Sequence, residues 1–285
     1  METYSITLDQ KTINEIVKEY SSYLVKSNNP YLTYCIKLDD ANINIYSSCK
    51  VVFQGKNSLY YYQKYQKDDS FFVHGGSDEV GTGDFFGPIC VCAVSLNEKS
   101  LDLIKPYNIT DSKQLTDKYI SDIVEKVINK IDYSLLILNN EKYNEQIKLH
   151  NLNQIKALMH NKAYLNLKKK VKKLPQLLVV DDFCGEEKYY QYLKNEQEVV
   201  GNITFKTKAE SQYLAVALAS MIARYGFIKH MDLLSSQYHM TIPKGASNIV
   251  DDFAYQFVKK YGLSEIKKVC KTNFKNYQRL IERIG

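Results

Sequence analysis

Residues 75–88 read "GGSDEVGTGDFFGP", with Asp78 and Glu79 adjacent inside a run of glycines that Pro88 closes. Glycine lets a backbone turn sharply and lets another molecule come close to it. Two neighbouring carboxylates repel unless a cation or a shared proton offsets their charge. On either side, "FFVHGGSDEVG" and "GPICVCAVSL" read as two strands joined by the glycine turn, the second an almost continuous apolar run of the kind buried on both faces. Asp78 and Glu79 then fall at a strand end. Successive strand side chains point to opposite faces, so both acids serve one site only if the strand breaks or twists into the turn of Gly81 and Gly83.

Working outward, helical patterns follow around 111–129 and 151–171. Pro175 opens a further apolar run, "LLVV", that ends at Asp181 and Asp182, and a helix is predicted from about 208 to 231. In that helix Ala215, Ala217, Ala219 and Ser220 suit close approach to a sheet. The alternation of strands and helices predicts an α/β core, with both acidic pairs at strand ends, where ligand sites of open α/β sheets gather.

Upstream, Ile13, Ile16 and Val17 make the first 20 residues read as an amphipathic helix. "NINIY" and "VVF", separated by "SSCK", read as a hairpin within 34–54, and a polar passage over 55–70 places a domain boundary at about residue 68. The expected domains are 1–68 and 69–285.

At 285 residues and 45% hydrophobic content the chain can bury a sizeable core. Its six cysteines form no CxxC pair or regular framework, which predicts reduced thiols, each a small buried hydrophobe. No apolar run approaches the roughly 18 residues of a membrane span, and the polar start lacks a signal peptide's regions, so the expectation is a cytoplasmic protein with no membrane partner. The net charge is +6, and residues 1–70 hold 8 lysines and 8 acids, so the whole excess lies in the remainder. That placement suits a polyanionic partner. The 24 tyrosines carry no weight as a nucleic-acid signal, since a composition rich in isoleucine, asparagine and lysine accounts for them.

Several chemistries compete for these residues. A dinucleotide loop fails, because Gly81, Gly83 and Gly87 space as GxGxxxG and the chain continues as a strand where a helix is required. The five histidines show no HxxxH spacing, which argues against zinc. Asp181 and Asp182 read as ligands or as a turn, with only one able to face the site. Glu210 reads most simply as part of a capping box with Thr207. "TDSKQL" reads as a helix start with Asp111 or Ser112 as cap, and Lys168–Lys173, "KKKVKK", as the solvated end of a helix.

In order, "GSDEVGTGDFFGP", "DSKQL", "NLNQIKALMHNKA", "VVDDF", "KAESQYLAVALASMIAR" and "PKGAS" resemble the bacterial ribonuclease HIII family of type 2 ribonucleases H, over nearly the whole chain. "KAES" separates it from ribonuclease HII, as does Thr82 where that sister family usually has arginine. Phe85 departs from a frequent tyrosine and Asp182 from a common glutamine. The resemblance implies a ribonuclease H-like mixed sheet flanked by helices, plus a small N-terminal α+β domain similar to the TATA-binding protein that binds substrate. It implies that Asp78, Glu79, Asp181 and Glu210 form a catalytic quartet holding Mg²⁺ or Mn²⁺, two ions about 3.5–4 Å apart during catalysis. The implied reaction is hydrolysis of the RNA strand of an RNA/DNA hybrid, leaving 5′-phosphate and 3′-hydroxyl ends. Main-chain groups of Gly81, Thr82 and Gly83 would read the 2′-hydroxyl, with Lys113 and Lys244 on phosphates. Cleavage at single embedded ribonucleotides and hybrid binding without catalysis remain as alternatives. No obligate protein partner is expected, with a monomer as default.

Overall fold

Residues 89–95, "ICVCAVS", form a strand in which every residue is buried, as the apolar run requires. The reason is visible in the computed structural model, which describes residues 3–65, 72–107, 109 and 115–285. Cys90, Cys92 and Val94 pack into one core, whereas Ile89, Val91 and Ala93 pack into another on the opposite face of the same sheet. The chain divides into two compact units, residues 1–69 and 70–285. The expected boundary at about residue 68 lies outside the described residues.

The first unit contains β1 (Thr3–Thr7), α1 (Gln10–Glu19), β2 (Leu24–Val25), β3 (Leu32–Lys37), β4 (Ala41–Tyr46), β5 (Lys50–Gly55) and α2 (Ser58–Tyr65). The strands pair antiparallel in the order β1-β5-β4-β3-β2. In β4, Ala41, Ile43 and Ile45 are buried in alternation, and Ile43 and Ile45 join Ile13 and Ile16 of α1 in one cluster, so this unit has its own core. The first 20 residues are not one helix. "TYSIT" has three β-branched residues, Thr3, Ile6 and Thr7, and alternates exposed and half-buried positions as β1, and Asp9 then starts α1 by accepting from Thr12 N at 2.8 Å. The polar passage after β5 holds α2, because Tyr62 and Tyr65 pack their rings on Phe53 at centroid distances of 6.2 and 6.3 Å.

The second unit contains β6 (Gly75–Val80), β7 (Ile89–Ser95), α3 (Glu98–Ile104), α4 (Asp117–Val127), β8 (Asp132–Leu138), α5 (Asn140–Gln146), α6 (Leu152–Val171), β9 (Leu178–Asp181), α7 (Glu186–Tyr192), β10 (Ile203–Lys206), α8 (Leu214–Gln237), α9 (Asn248–Tyr261), α10 (Leu263–Ile266) and α11 (Lys275–Ile284). Its sheet runs β10-β9-β6-β7-β8, parallel across β10, β9 and β6 and antiparallel from β6 to β8. This is the expected mixed sheet flanked by helices. The core on one face receives α4, α8 and α9, and that on the other receives α6 and α7. At Gly76 a Cβ would lie 2.3 Å from Val216 N, so the small residues of α8 bring its backbone directly onto β6.

Among the described residues no helix is long and apolar enough to cross a membrane, and all six cysteines are free thiols. Only Cys90, Cys92 and Cys270 are buried; the other three are half-buried, against the expectation for all six.

Candidate metal centre

Sheet register builds the site. In the parallel β6 and β9, Ser77 is paired with Val180, so the next residues, Asp78 and Asp181, lie side by side where the paired region ends. Asp78 has the same strand parity as Gly76, and Asp181 the same as Val179, both of which meet α8. Glu210 comes from a 3₁₀ turn, Ala209–Ser211, just before α8. Lys208 enters that turn in the left-handed region, and Ala209 N donates to Asp181 Oδ1 at 2.9 Å, which ties the turn to the strand end. Asp78, Asp181 and Glu210 thus bring carboxylate oxygens within 4.8 Å of one another.

The capping box expected at Glu210 is absent: the 3₁₀ turn has no side-chain cap, and α8 begins at Leu214, later than the predicted helix start. Asp182 takes the turn role instead, accepting from Cys184 N at 3.1 Å and Gly185 N at 2.7 Å. Burial, followed by the negative charge of Glu79 and the smaller effect of Glu210, pushes the Asp78 carboxyl up to about 8, against donation from Ser220 and Glu79 N. Three carboxylates crowded in this way suit a cation, and an all-oxygen, all-anionic donor set fits Mg²⁺ or Mn²⁺.

Glu79 is placed differently. β6 continues unbroken through Val80, so strand alternation turns Glu79 to the α6 face, contrary to the expected break between the two acids. There Lys156 Nζ meets Oε1 at 2.5 Å and His160 Nε2 meets Oε2 at 2.9 Å. Burial raises the Glu79 carboxyl, but the hydrogen bonds and charges of His160 and Lys156 outweigh it and hold it below its ordinary value.

The turn after β6 requires glycine at 81, where φ is 97° and a Cβ would lie 2.2 Å from Pro88 O. Thr82 is half-buried, and Gly83 is exposed with nothing within 4 Å of its Cβ direction, which leaves the turn open to a ligand. The loop is anchored behind: Gly245 N donates to Asp84 Oδ1 at 2.6 Å, and the buried Lys271 donates to Asp84 O at 2.7 Å and Gly87 O at 2.6 Å. Lys244 is beside this anchor but forms an ion pair with Asp117, which Arg224 also engages at 2.8 Å. Lys113, with the expected caps Asp111 and Ser112, lies outside the described residues; α4 is capped by Thr116.

The Ribonuclease HII family model matches residues 75–277, and residues 4–70 match a model described only as a domain of unknown function, DUF3378. Ribonuclease HIII of Phytoplasma mali (strain AT) is 39% identical over 281 residues, covering 97% of each chain. The chain belongs to the ribonuclease HIII family. A second ribonuclease HIII, from Lactococcus lactis subsp. lactis (strain IL1403), is 35% identical over 288 residues and 97% of each chain. Among solved structures, Bst-RNase HIII in complex with Mn²⁺ matches with a TM-score of 0.73 and 29% identity, over 99% of this chain and 98% of its own. The family match therefore spans both units.

Sequence reasoning passed over Lys156, His160 and Lys271. For the first two the available signal was their spacing of four residues in "NLNQIKALMHNKA", which puts both on one face of a helix. Lys271 offered none, since its role depends on a main-chain loop far away in sequence.

Proposed function

We propose that this enzyme is a metal-dependent endonuclease that hydrolyses the RNA strand of RNA/DNA hybrids, leaving 5′-phosphate and 3′-hydroxyl ends. The convergence of Asp78, Asp181 and Glu210 at the ends of two parallel strands carries the reading. When bound at these carboxylates, Mg²⁺ or Mn²⁺ supplies neutralisation of their charge, activation of the attacking water and stabilisation of the leaving oxygen. Asp78, Asp181 and Glu210 hold the ions, and Glu79 completes the acidic quartet from the neighbouring position in β6. Main-chain groups of Gly81, Thr82 and Gly83 approach the ribose and read its 2′-hydroxyl, which the open space at Gly83 supports. Lys244 and Lys113 contact phosphates, Lys244 by exchanging its partner Asp117 for the nucleic acid. The unit of residues 1–69 supplies hybrid affinity.

The test is a labelled continuous hybrid beside a DNA duplex carrying one ribonucleotide, each in Mg²⁺ or Mn²⁺ and with EDTA. Metal-dependent cutting of the RNA strand, stronger on the continuous hybrid, is expected. Cutting that survives EDTA contradicts the metal mechanism, and binding without cutting in either metal contradicts the endonuclease.

A further inference from the structure

The Glu79 carboxylate is held by two basic side chains, Lys156 and His160. Lys156 and His160 stand four residues apart on α6, so both present to the same strand of the sheet. Each takes one oxygen of Glu79, Lys156 at 2.5 Å and His160 at 2.9 Å. The far ring nitrogen of His160, Nδ1, is 2.6 Å from Ser77 Oγ, so the ring cannot turn without losing contacts at both ends. Phe183, two residues beyond Asp181, contacts both basic side chains. Its ring centroid lies 3.9 Å from Lys156 Nζ and stacks on His160 at 5.4 Å with an interplanar angle of 21°.

The group is nearly closed to solvent, with side-chain exposures of 9% for Lys156, 0% for His160 and 12% for Glu79. Burying an ion pair is a weak way to stabilise a fold, because desolvation offsets most of the attraction, whereas apolar residues of similar size do as well or better. What such an arrangement does supply is a fixed direction for the carboxylate. A carboxylate has about four lone-pair positions and the clamp occupies one on each oxygen, so acceptor capacity remains for a group in the site.

We propose that Lys156 and His160 are positioning residues that fix the direction of the Glu79 carboxylate on the α6 face of β6, one residue along the strand from Asp78. Lys156 and His160 do this without touching the substrate. The inference deepens the endonuclease reading and rests on it for its catalytic consequence, but not for its geometry.

The experiment takes the full chain with Lys156→Met, Lys156→Arg, His160→Ala and His160→Gln, each checked for folding by circular dichroism and thermal melting. Crystal structures of the metal-free proteins should show the Glu79 carboxylate displaced in K156M and H160A, and returned to its wild-type place in K156R and H160Q, which keep a donor. Removing such outer contacts costs catalytic sites about 10- to 100-fold. Hybrid cleavage by K156M and H160A should accordingly lose kcat on that scale, with KM within about threefold and recovery in the two conservative variants. Should K156M not fold, the pair H160A and H160Q carries the same comparison. The proposal is overturned if Glu79 keeps its place in the variants that lack the donor, if kcat is unchanged, or if the loss falls in KM. A wild-type protein that cuts no hybrid removes the endonuclease reading, and the Glu79 position in the metal-free crystals then decides the clamp alone.

Discussion

At the scale of single residues, Asp78 trades stability for a site. Its folded carboxyl stands at about 8 against an ordinary value of 3.8, raised first by burial and then by Glu79. Between those values the folded state holds a proton that the unfolded state has released, so this group's contribution to stability falls as pH rises from about 4 to 8. Asp78→Asn should therefore raise the metal-free melting temperature at pH 8 by roughly 2–5 °C, with the gain vanishing near pH 4. Added Mn²⁺ should stabilise the wild type but not the variant. A melting series over pH, with and without the ion, checks both signs. The two turn glycines should separate in the same way. Gly81→Ala meets a positive φ and the Pro88 carbonyl, and should cost about 1–3 kcal/mol of stability in denaturant unfolding. Gly83→Ala meets open space, so it should leave stability unchanged and weaken hybrid binding, measured by anisotropy. The residues alone make Asp78 and the Asp181–Asp182 pair legible as candidates, whereas Glu210 and the choice of Asp181 over Asp182 came from family resemblance; the physical basis of that choice is register. Asp181 continues the parity of Val179, whereas Asp182 bonds the turn toward Gly185.

At the scale of elements, the sequence reveals what periodicity alone can encode. β7 was legible because both of its faces are apolar, and the β4–β5 hairpin because its faces alternate. β1 and α2 were missed because five β-branched or polar residues and a tyrosine-rich stretch acquire meaning only against the core they cover. The junction of β6 with α8 holds a further control. The buried His74 uses Nδ1 toward Phe72 O at 2.7 Å, and its Nε2 accepts from Ala215 N at 3.0 Å in the first turn of α8. Acceptance at Nε2 requires the neutral ring, and burial, opposed by the bond to Phe72, lowers its pKa below 6.5. The unfolded chain then binds more protons as pH falls through 6.5, so His74 makes stability fall on acidification. His74→Gln retains an acceptor without the titration. The stability gap between wild type and H74Q should narrow from pH 8 to pH 5 in urea unfolding, and a constant gap would exclude this role.

At the scale of the molecule, the two units have separate cores, one centred on Ile16, Ile43 and Phe53 and the other two on the faces of the mixed sheet. Deleting residues 1–68 should leave the second unit folded with its carboxylate cluster intact. Joining two binding units raises affinity through effective concentration, so the truncated protein should show a KM for hybrid at least about tenfold higher with kcat largely retained. Steady-state kinetics on both forms decides this, and an unchanged KM would remove the substrate-binding role of the first unit. The charge count gave no hint of that role, since residues 1–70 balance 8 lysines against 8 acids. The central claim, that Asp78, Asp181 and Glu210 together hold a divalent ion, is tested most directly by anomalous diffraction at the manganese edge from crystals soaked in Mn²⁺. A peak within about 2.0–2.4 Å of oxygens from all three carboxylates is the predicted result. Well-ordered crystals with no peak there, or with manganese bound only elsewhere, would contradict it.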